Sequence, residues 1–187
     1  MKKWTELLEA SPVIAAVKEE AALERALKSE CGIIFLLCGN LCNIAQMVKE
    51  VKEAGKTAIV HIDLIQGLSG KEVAVDYLKQ NVGADGMIST RQPLVKYAAQ
   101  IGLIAIQRTF LVDSMALETT RRQLENYRPY ALEIMPGIMP GMIRRIHRET
   151  GVPVIAGGLF TEKKEVYEAL QAGAYAISTT REELWSD

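Results

Sequence analysis

The 187-residue chain has no long apolar run, and it is poor in cysteine, histidine and aromatic residues. Its longest uninterrupted apolar run spans residues 33–38, whereas a membrane-spanning helix needs about 20 apolar residues. The first residues also lack the apolar core of a signal peptide. We therefore expect a cytoplasmic protein with no membrane partner.

The scarcity of cysteine and histidine limits metal and redox chemistry. The chain has three Cys and two His, and the odd cysteine count favours a reducing compartment over a disulfide framework. Cys38 and Cys42 are four residues apart, but no nearby Cys or His completes a zinc set. We expect neither a metal site nor a cofactor.

The charges are almost balanced, with 22 Lys and Arg against 23 Asp and Glu, so the formal net charge is −1. This balance excludes a strongly basic coat that would bind nucleic acid by neutralising phosphates. Binding of that kind would need a local basic patch. A hydrophobic content of 49% and a charged content of 24% are typical of a globular protein, and the length fits one domain over 1–187.

Short apolar segments alternate with amphipathic segments along the whole chain, which predicts eight strand–helix units. In the helical segments apolar residues recur at helical spacing, as at Ile44, Met47, Val48 and Val51. Strand–helix alternation is typical of a parallel sheet with helical crossovers. The predicted strands are Val13–Val17, Ile33–Leu37, Thr57–Ile62, Gly86–Ser89, Leu103–Gln107, Ala131–Met135, Val152–Ala156 and Tyr175–Ser178.

Eight such units favour an α/β fold, a compact TIM-like (β/α)8 barrel with minimal loops. Barrels of this type have about 250 residues, with about 200 as the usual lower bound, so 187 residues leave little room for loops. The alternative is an open parallel sheet in which one predicted strand is a loop.

Two loops at the C-terminal end of the predicted barrel have the composition of a phosphate site. Gly157 and Gly158 follow strand seven, and the segment of Ser178, Thr179 and Thr180 comes after strand eight. These loops bind phosphate in many barrels, because glycines let backbone N–H groups approach an anion and the next helix start adds partial positive charge. The alternative is a tight turn followed by a helix cap.

Other polar residues lie at the same ends of the predicted strands. His61 and Asp63 are two residues apart, so on one strand they would face the same side and could bind metal or transfer protons. Lys18 and Glu133 could form a catalytic pair, contact a ligand or neutralise each other. Gln107 ends the fifth predicted strand. Together these positions favour a ligand pocket.

One segment of the chain is locally basic. Between Thr119 and Arg148 six arginines are opposed only by Glu125 and Glu133, which leaves a local charge of +4. Arginine side chains bind phosphate oxygens and stack on bases, although such a segment is often only a solvated helix face. The candidate RNA-binding residues are Arg121, Arg122, Arg144, Arg145 and Arg148.

Three sequence blocks together resemble the glycerol uptake operon antiterminator regulatory proteins. They read His-Ile-Asp-Leu-Ile at 61–65, Glu-Ile-Met-Pro-Gly-Ile-Met-Pro at 133–140 and Ile-Ala-Gly-Gly-Leu at 155–159. The likeness extends from Pro12 to Trp185. It implies a barrel-like fold and a transcription antiterminator that responds to glycerol 3-phosphate, binds the leader mRNA of glycerol-utilisation genes and has no enzyme activity.

The resemblance does not assign pocket residues, so these are inferred from position. We expect Gly157, Gly158, Ser178 and Thr179 to hold the phosphate. The glycerol end would be lined by Lys18, His61, Asp63, Gln107 and Glu133. Binding of ligand could favour a closed state of the loops, including residues 65–70, that RNA prefers.

Two other functions fit the same residues. The first is a barrel enzyme that acts on a small phosphorylated substrate by acid–base catalysis. The second is a ligand sensor whose arginine face contacts a protein. Whether the chain forms a homo-oligomer is left open by the sequence.

Overall fold

A closed parallel barrel forms the whole described part of the chain, residues 2–186, in the computed structural model. The eight strands pair in sequence order, and β8 pairs with β1. The strands are β1 Val13–Val17, β2 Ile33–Leu36, β3 Thr57–His61, β4 Gly86–Ser89, β5 Ile104–Phe110, β6 Ala131–Met135, β7 Val154–Gly157 and β8 Ala176–Thr179. The predicted barrel is confirmed, and the open-sheet alternative is wrong.

Eight α-helices are present within residues 2–186. They are α1 Lys2–Ala10, α2 Leu23–Lys28, α3 Ile44–Glu53, α4 Glu72–Tyr77, α5 Gln92–Gln100, α6 Ser114–Asn126, α7 Pro140–Thr150 and α8 Lys163–Gln171. A π-helical segment, Leu78–Val82, continues α4. In this part of the chain none of the helices has the length and apolar content needed to cross a membrane.

The predicted strands match the observed ones with shifts at their ends. Strand β7 begins at Val154, directly after Pro153, because proline cannot donate a ladder hydrogen bond. Strand β5 continues three residues beyond Gln107, to Phe110, and Arg108 to Phe110 pair with β6. Because of this extension the charged residue Arg108 is part of a barrel strand and not of the loop that follows it.

The repeat of strand followed by helix is wrong at both ends of the chain. Helix α1 precedes β1, and only a 3₁₀ turn, Glu182–Leu184, follows β8 within the described residues. Trp4 and Leu8 of α1 are buried together with inward-facing Ile14 and Phe35. Helix α1 therefore closes the N-terminal end of the barrel with apolar side chains. The opposite, C-terminal end is left for polar side chains.

Apolar residues at alternate positions of each strand face either the barrel interior or the outer layer of helices. Inward-facing residues form one core cluster with α1, whereas outward-facing residues pack under the helices, as alternation along a strand requires. Helix α3 buries Ile44, Met47, Val48 and Val51. This is the helical face that the sequence predicts.

Candidate functional site

The C-terminal half of the barrel interior contains a buried polar cluster. Glu133 on β6 is fully buried, and Arg108 is its register partner on β5. Arg108 Nε donates to Glu133 Oε2 at 2.6 Å, and Ser178 Oγ donates to Glu133 Oε1 at 2.6 Å. The carboxylate is thus held on one oxygen by Arg108 of the adjacent strand β5 and on the other by Ser178 of β8, which lies beyond β7.

Gly157 makes this cluster sterically possible. A Cβ atom at Gly157 would lie 2.9 Å from both Glu133 Oε1 and Ser178 Oγ, which is too close for either atom. The glycine leaves the space in which the Ser178 hydroxyl reaches Glu133. Its role in the structure is this close approach.

His61 ends β3 and faces the same interior. Its side chain is 2% exposed, and its Nδ1 atom is buried without a hydrogen-bond partner in the described residues. Burial, followed by repulsion from the Arg108 charge, lowers the pKa of His61 to about 4. The ring is therefore neutral at pH 7, and its buried Nδ1 atom can either accept or donate one hydrogen bond.

Asp63 does not share a strand with His61, contrary to the expectation from sequence spacing. It lies in the 3₁₀ turn Ile62–Leu64 that follows β3. Its carboxylate accepts hydrogen bonds from the Ser89 hydroxyl and from the backbone and hydroxyl groups of Thr90, and it lies 3.7 Å from Arg91 Nε. These contacts tie the β3 and β4 loops together.

Gln107 faces the helix layer and not the barrel interior. Its Nε2 atom donates to the carbonyl groups of Thr90 and Arg108, and its Oε1 atom accepts from the Tyr127 hydroxyl at 2.6 Å. Strand alternation turns Gln107 outward because Ile106 and Arg108 point inward. Its amide is occupied by protein groups.

An open cleft of about 280 Å³ lies between the loops that follow β7 and β8. The two loops predicted to form a phosphate site therefore converge on one space. Its polar lining consists of Arg108, Thr161, Ser178, Thr179, Thr180 and Arg181, and Gly158 to Phe160 form one wall. Lys18 is exposed beyond β1 and is outside this lining.

The loop after β7 has an uncommon backbone. Gly158 and Leu159 have φ values of 76° and 65°, in the left-handed region, where a side chain such as that of Leu159 costs about 1–2 kcal/mol. Leu159 is also 66% exposed. Strain of this kind is concentrated at ligand sites.

Backbone amides contribute less to the cleft than the glycine pair suggests. The Gly158 N–H donates to the Ser178 carbonyl oxygen at 3.3 Å. Glu165 accepts the Thr161 and Glu162 N–H groups at 2.7 and 3.1 Å, so the start of α8 is capped by its own carboxylate. The strongest fixed donor at the cleft is instead a side chain, the guanidinium group of Arg108.

Arg108 was missing from the sequence-predicted ligand residues. Its position in the strand could have indicated it, because every second residue of β5 faces the interior, namely Ile104, Ile106 and Arg108. A charged residue at that position needs a buried partner, and Glu133 has the same inward parity on the next strand. Among residues 2–186 no group of His, Cys, Asp or Glu is placed to hold a metal ion.

The predicted RNA-binding arginines lie together on the outside of the barrel, on α6 and α7. All five side chains are exposed, and Arg121 Nε lies 3.9 Å from Glu149 Oε2 across the two helices. Glu118 also pairs with Arg121 and Arg122, and Glu149 pairs with Arg145. Glu118 and Glu149 flank the basic segment, and including them reduces its charge from +4 to +2.

Comparison with known proteins shows one family over almost the whole chain. Residues 13–185 match the family described as glycerol-3-phosphate responsive antiterminator. The uncharacterized protein YgcP of Escherichia coli (strain K12) is 42% identical over 180 residues, which cover 96% of this chain and 94% of that protein.

Two solved structures with related names share both sequence and fold. The glycerol uptake operon antiterminator regulatory protein from Listeria monocytogenes is 31% identical, with a TM-score of 0.89 over 92% of this chain and 94% of its own. The glycerol uptake operon antiterminator-related protein from Thermotoga maritima is also 31% identical, with a TM-score of 0.83 over 94% and 98%. Aldolases and a decarboxylase that are at most 20% identical share the barrel fold alone. The chain belongs to the glycerol-3-phosphate responsive antiterminator family.

Proposed function

We propose that this protein binds glycerol 3-phosphate at the C-terminal end of the barrel and, when it is bound, regulates transcription by binding leader mRNA. The observation that carries this proposal is the open cleft between the β7 and β8 loops in a member of this family. The cleft has a strained glycine turn, hydroxyl groups and guanidinium groups, which suit an anionic headgroup.

In this proposal the phosphate lies against the turn that begins at Gly158 and the hydroxyl group of Thr179. Ser178 also lines the cleft, but its hydroxyl proton is donated to Glu133 and not to the phosphate. Thr179 Oγ1 accepts the Arg181 N–H at 3.0 Å, which leaves its own proton free to donate. Arg181 adds an exposed positive charge at the mouth of the cleft. The glycerol hydroxyls extend toward the inner side of the cleft, which Arg108 lines. His61 is outside the lining of the cleft, and its Nδ1 atom is buried.

The messenger RNA binds the exposed face of α6 and α7 in this proposal. The ion pair between Arg121 and Glu149 supports one continuous surface across the two helices. Arg144 and Arg148 form no ion pair with the described residues, so their guanidinium groups are free for phosphates. Because side chains cannot read the deep groove of an RNA duplex, loops and single strands are the expected targets.

Ligand and RNA affinities must be coupled for the protein to respond to glycerol 3-phosphate, and this coupling is reciprocal. The loop of residues 65–70 is held by contacts with neighbouring loops. Gln66 donates to the Gly39 carbonyl and accepts from the Leu41 N–H, and Gly70 packs directly against Arg91. A closing movement of this loop would have to carry or break those contacts.

The composition of the strands supports a regulator over a Schiff-base aldolase. None of the eight strands, as described, contains a lysine, and a lysine amine is the nucleophile that such enzymes use. His61 and the Glu133–Arg108 pair are the remaining acid–base groups in the interior. An acid–base enzyme would turn over glycerol phosphates or related sugar phosphates.

A gel-shift assay with leader RNA, with and without glycerol 3-phosphate, tests the proposal. We expect tighter RNA binding with the ligand and no turnover of the ligand in a parallel product assay. An unchanged RNA affinity would contradict the antiterminator proposal. Conversion of the ligand would support the enzyme.

A further inference from the structure

We propose that Arg108 binds the phosphate group of the ligand, and that Glu133 positions Arg108 without itself binding the ligand. This inference rests on the proposed function, because it uses the same cleft. It reverses the sequence-based expectation for Glu133, which placed its carboxylate against the glycerol end. It also adds a binding residue on β5, far along the chain from the β7 and β8 loops.

The orientation of Arg108 is the first argument. Only its Nε atom is hydrogen-bonded within the described residues, to Glu133 at 2.6 Å. Arg108 is 7% exposed, but its Nη1 and Nη2 atoms are not among the fully buried unpaired atoms of that part of the chain. Because Arg108 points inward, the open space that they face is the cleft that Arg108 lines together with Ser178 and Arg181.

A guanidinium held in this way is prepared to bind a phosphate. Its planar fork presents two parallel N–H groups to two phosphate oxygens, which gives shorter and stronger bonds than a lysine can form. The side chain is already fixed by Glu133, so little rotamer freedom is lost when the anion binds.

The saturation of Glu133 is the second argument. One carboxylate oxygen accepts from Arg108 and the other from Ser178, both at 2.6 Å. The carboxylate is fully buried, and its negative charge would repel a phosphate at short range. Its geometry fits a support for the guanidinium and the Ser178 hydroxyl.

The function of the pair also explains why it is buried. Removing two charges from water costs more than their attraction returns in many proteins, and apolar replacements are often equally stable. In this proposal the two charges have a function, because the free side of Arg108 faces an open cleft.

Two variants of similar size test the assignment, since truncating either side chain would leave the other without its hydrogen-bond partner in a buried position. Arg108→Lys keeps the charge but loses the fork. Glu133→Gln keeps a carbonyl acceptor for Arg108 Nε, and its amide group can donate to Ser178 Oγ, but it removes the negative charge. Arg25→Lys is the matched control, because Arg25 pairs with Glu182 on the outer surface.

Isothermal titration with inorganic phosphate and with glycerol 3-phosphate gives the readout, with glycerol as the uncharged probe. We expect Arg108→Lys to bind both anions at least about 10-fold more weakly, since Arg-to-Lys changes are not conservative at forked sites. We expect Glu133→Gln to bind them as well as the wild type or more tightly. Arg25→Lys should match the wild type, and unliganded melting temperatures report folding.

Each other outcome is decisive. Wild-type affinity in Arg108→Lys, or equal losses in Arg108→Lys and Glu133→Gln, would overturn the assignment while leaving ligand binding intact. Phosphate binding that depends on Arg108, without any affinity for glycerol 3-phosphate, would support the assignment and contradict the proposed effector. A wild-type protein that binds neither anion would overturn both.

Discussion

Gln107 and Arg108 are adjacent in the chain and face opposite sides of the barrel wall. Arg108 points inward to Glu133, whereas the Gln107 amide bonds Tyr127 at the C-terminal end of α6. On the same outward side Thr109 contacts Thr120, the residue before Arg121, with 3.0 Å between the hydroxyl oxygens. Strand β5 therefore connects the interior of the cleft to the helix that bears two of the predicted RNA-binding arginines.

Tyr127→Phe tests whether this connection carries the response to ligand. The variant loses one hydrogen bond to Gln107, so we expect a stability loss of about 1 kcal/mol. We expect unchanged affinity for glycerol 3-phosphate in calorimetry but a smaller effect of the ligand on RNA affinity in gel shifts. Tyr97→Phe removes a hydroxyl bonded to Asp76 on the α4–α5 side and is the control. Equal ligand effects in both variants would refute the connection.

Gly158→Asp places a negative charge and a side chain in the cleft. At Gly158 the new Cβ would meet Met135 Cε at 2.7 Å, and the carboxylate would repel a phosphate. We expect the increase in melting temperature caused by glycerol 3-phosphate to disappear. Retention of that increase would rule out the anion site at this loop.

Gly55→Asp is the matched control for backbone strain. Gly55 has φ 74°, close to the φ of 76° at Gly158, and a Cβ there meets nothing within 4 Å. Both variants therefore carry the left-handed penalty of about 1–2 kcal/mol. Only Gly158→Asp should lose the ligand effect.

Acid should destabilise the protein through His61. The pKa of His61 is about 4 in the folded chain, against 6.5 for an ordinary histidine, chiefly because of burial. The unfolded chain therefore binds the proton first as the pH falls. The contribution of His61 to the free energy of unfolding is fully present above pH 6.5 and is lost as the pH falls from 6.5 to 4. The shift corresponds to about 3 kcal/mol.

Urea unfolding of the wild type and of His61→Gln between pH 7 and 4.5 measures this dependence. The variant has no titrating ring, so its stability should change much less over the same range. Parallel curves for the two proteins would show that His61 is not the group responsible.

Arg144→Ala/Arg148→Ala should weaken RNA binding and leave ligand binding intact. Each lost phosphate contact should lower the slope of log affinity against log salt by about 0.7 for single-stranded RNA. Lys163→Ala/Lys164→Ala removes two exposed charges from α8 and is the control for net charge. Equal RNA affinity in the two double variants would exclude the α7 face.

Arg144→Ala/Arg145→Ala provides a graded comparison on the same face. Arg145 already pairs with Glu149 at 3.0 Å, so its loss removes a partly neutralised charge. We expect a smaller effect than for Arg144→Ala/Arg148→Ala in the same gel-shift assay.

Much of the fold was predictable because its signals are local. The apolar segments of the eight strands and the helical spacing in α3 follow from the periodicity of side chains. Helix α1 was missed although Trp4, Leu7 and Leu8 have helical spacing, because periodicity does not show which surface those side chains cover. The convergence of the β7 and β8 loops also followed from the order of strands in a closed barrel.

The candidate site was less predictable, since its contacts join residues that are distant in the chain. Spacing alone put Asp63 on the strand of His61, but a turn begins between them. Gln107 and Arg108 were both visible at a strand end, and only the observed pleat shows which one enters the barrel. Neither Glu118 nor Glu149 lies inside the basic segment, yet both neutralise it through ion pairs.

The sequence by itself determined the alternation of strands and helices, the barrel and the family, because periodicity and contiguous motifs are local properties of the sequence. Only the tertiary structure decided which polar side chains meet. Glu133, Arg108 and Ser178 come from three strands, and their contact depends on the register of those strands and on the space left at Gly157. Those are properties of the closed barrel, since no single segment contains them.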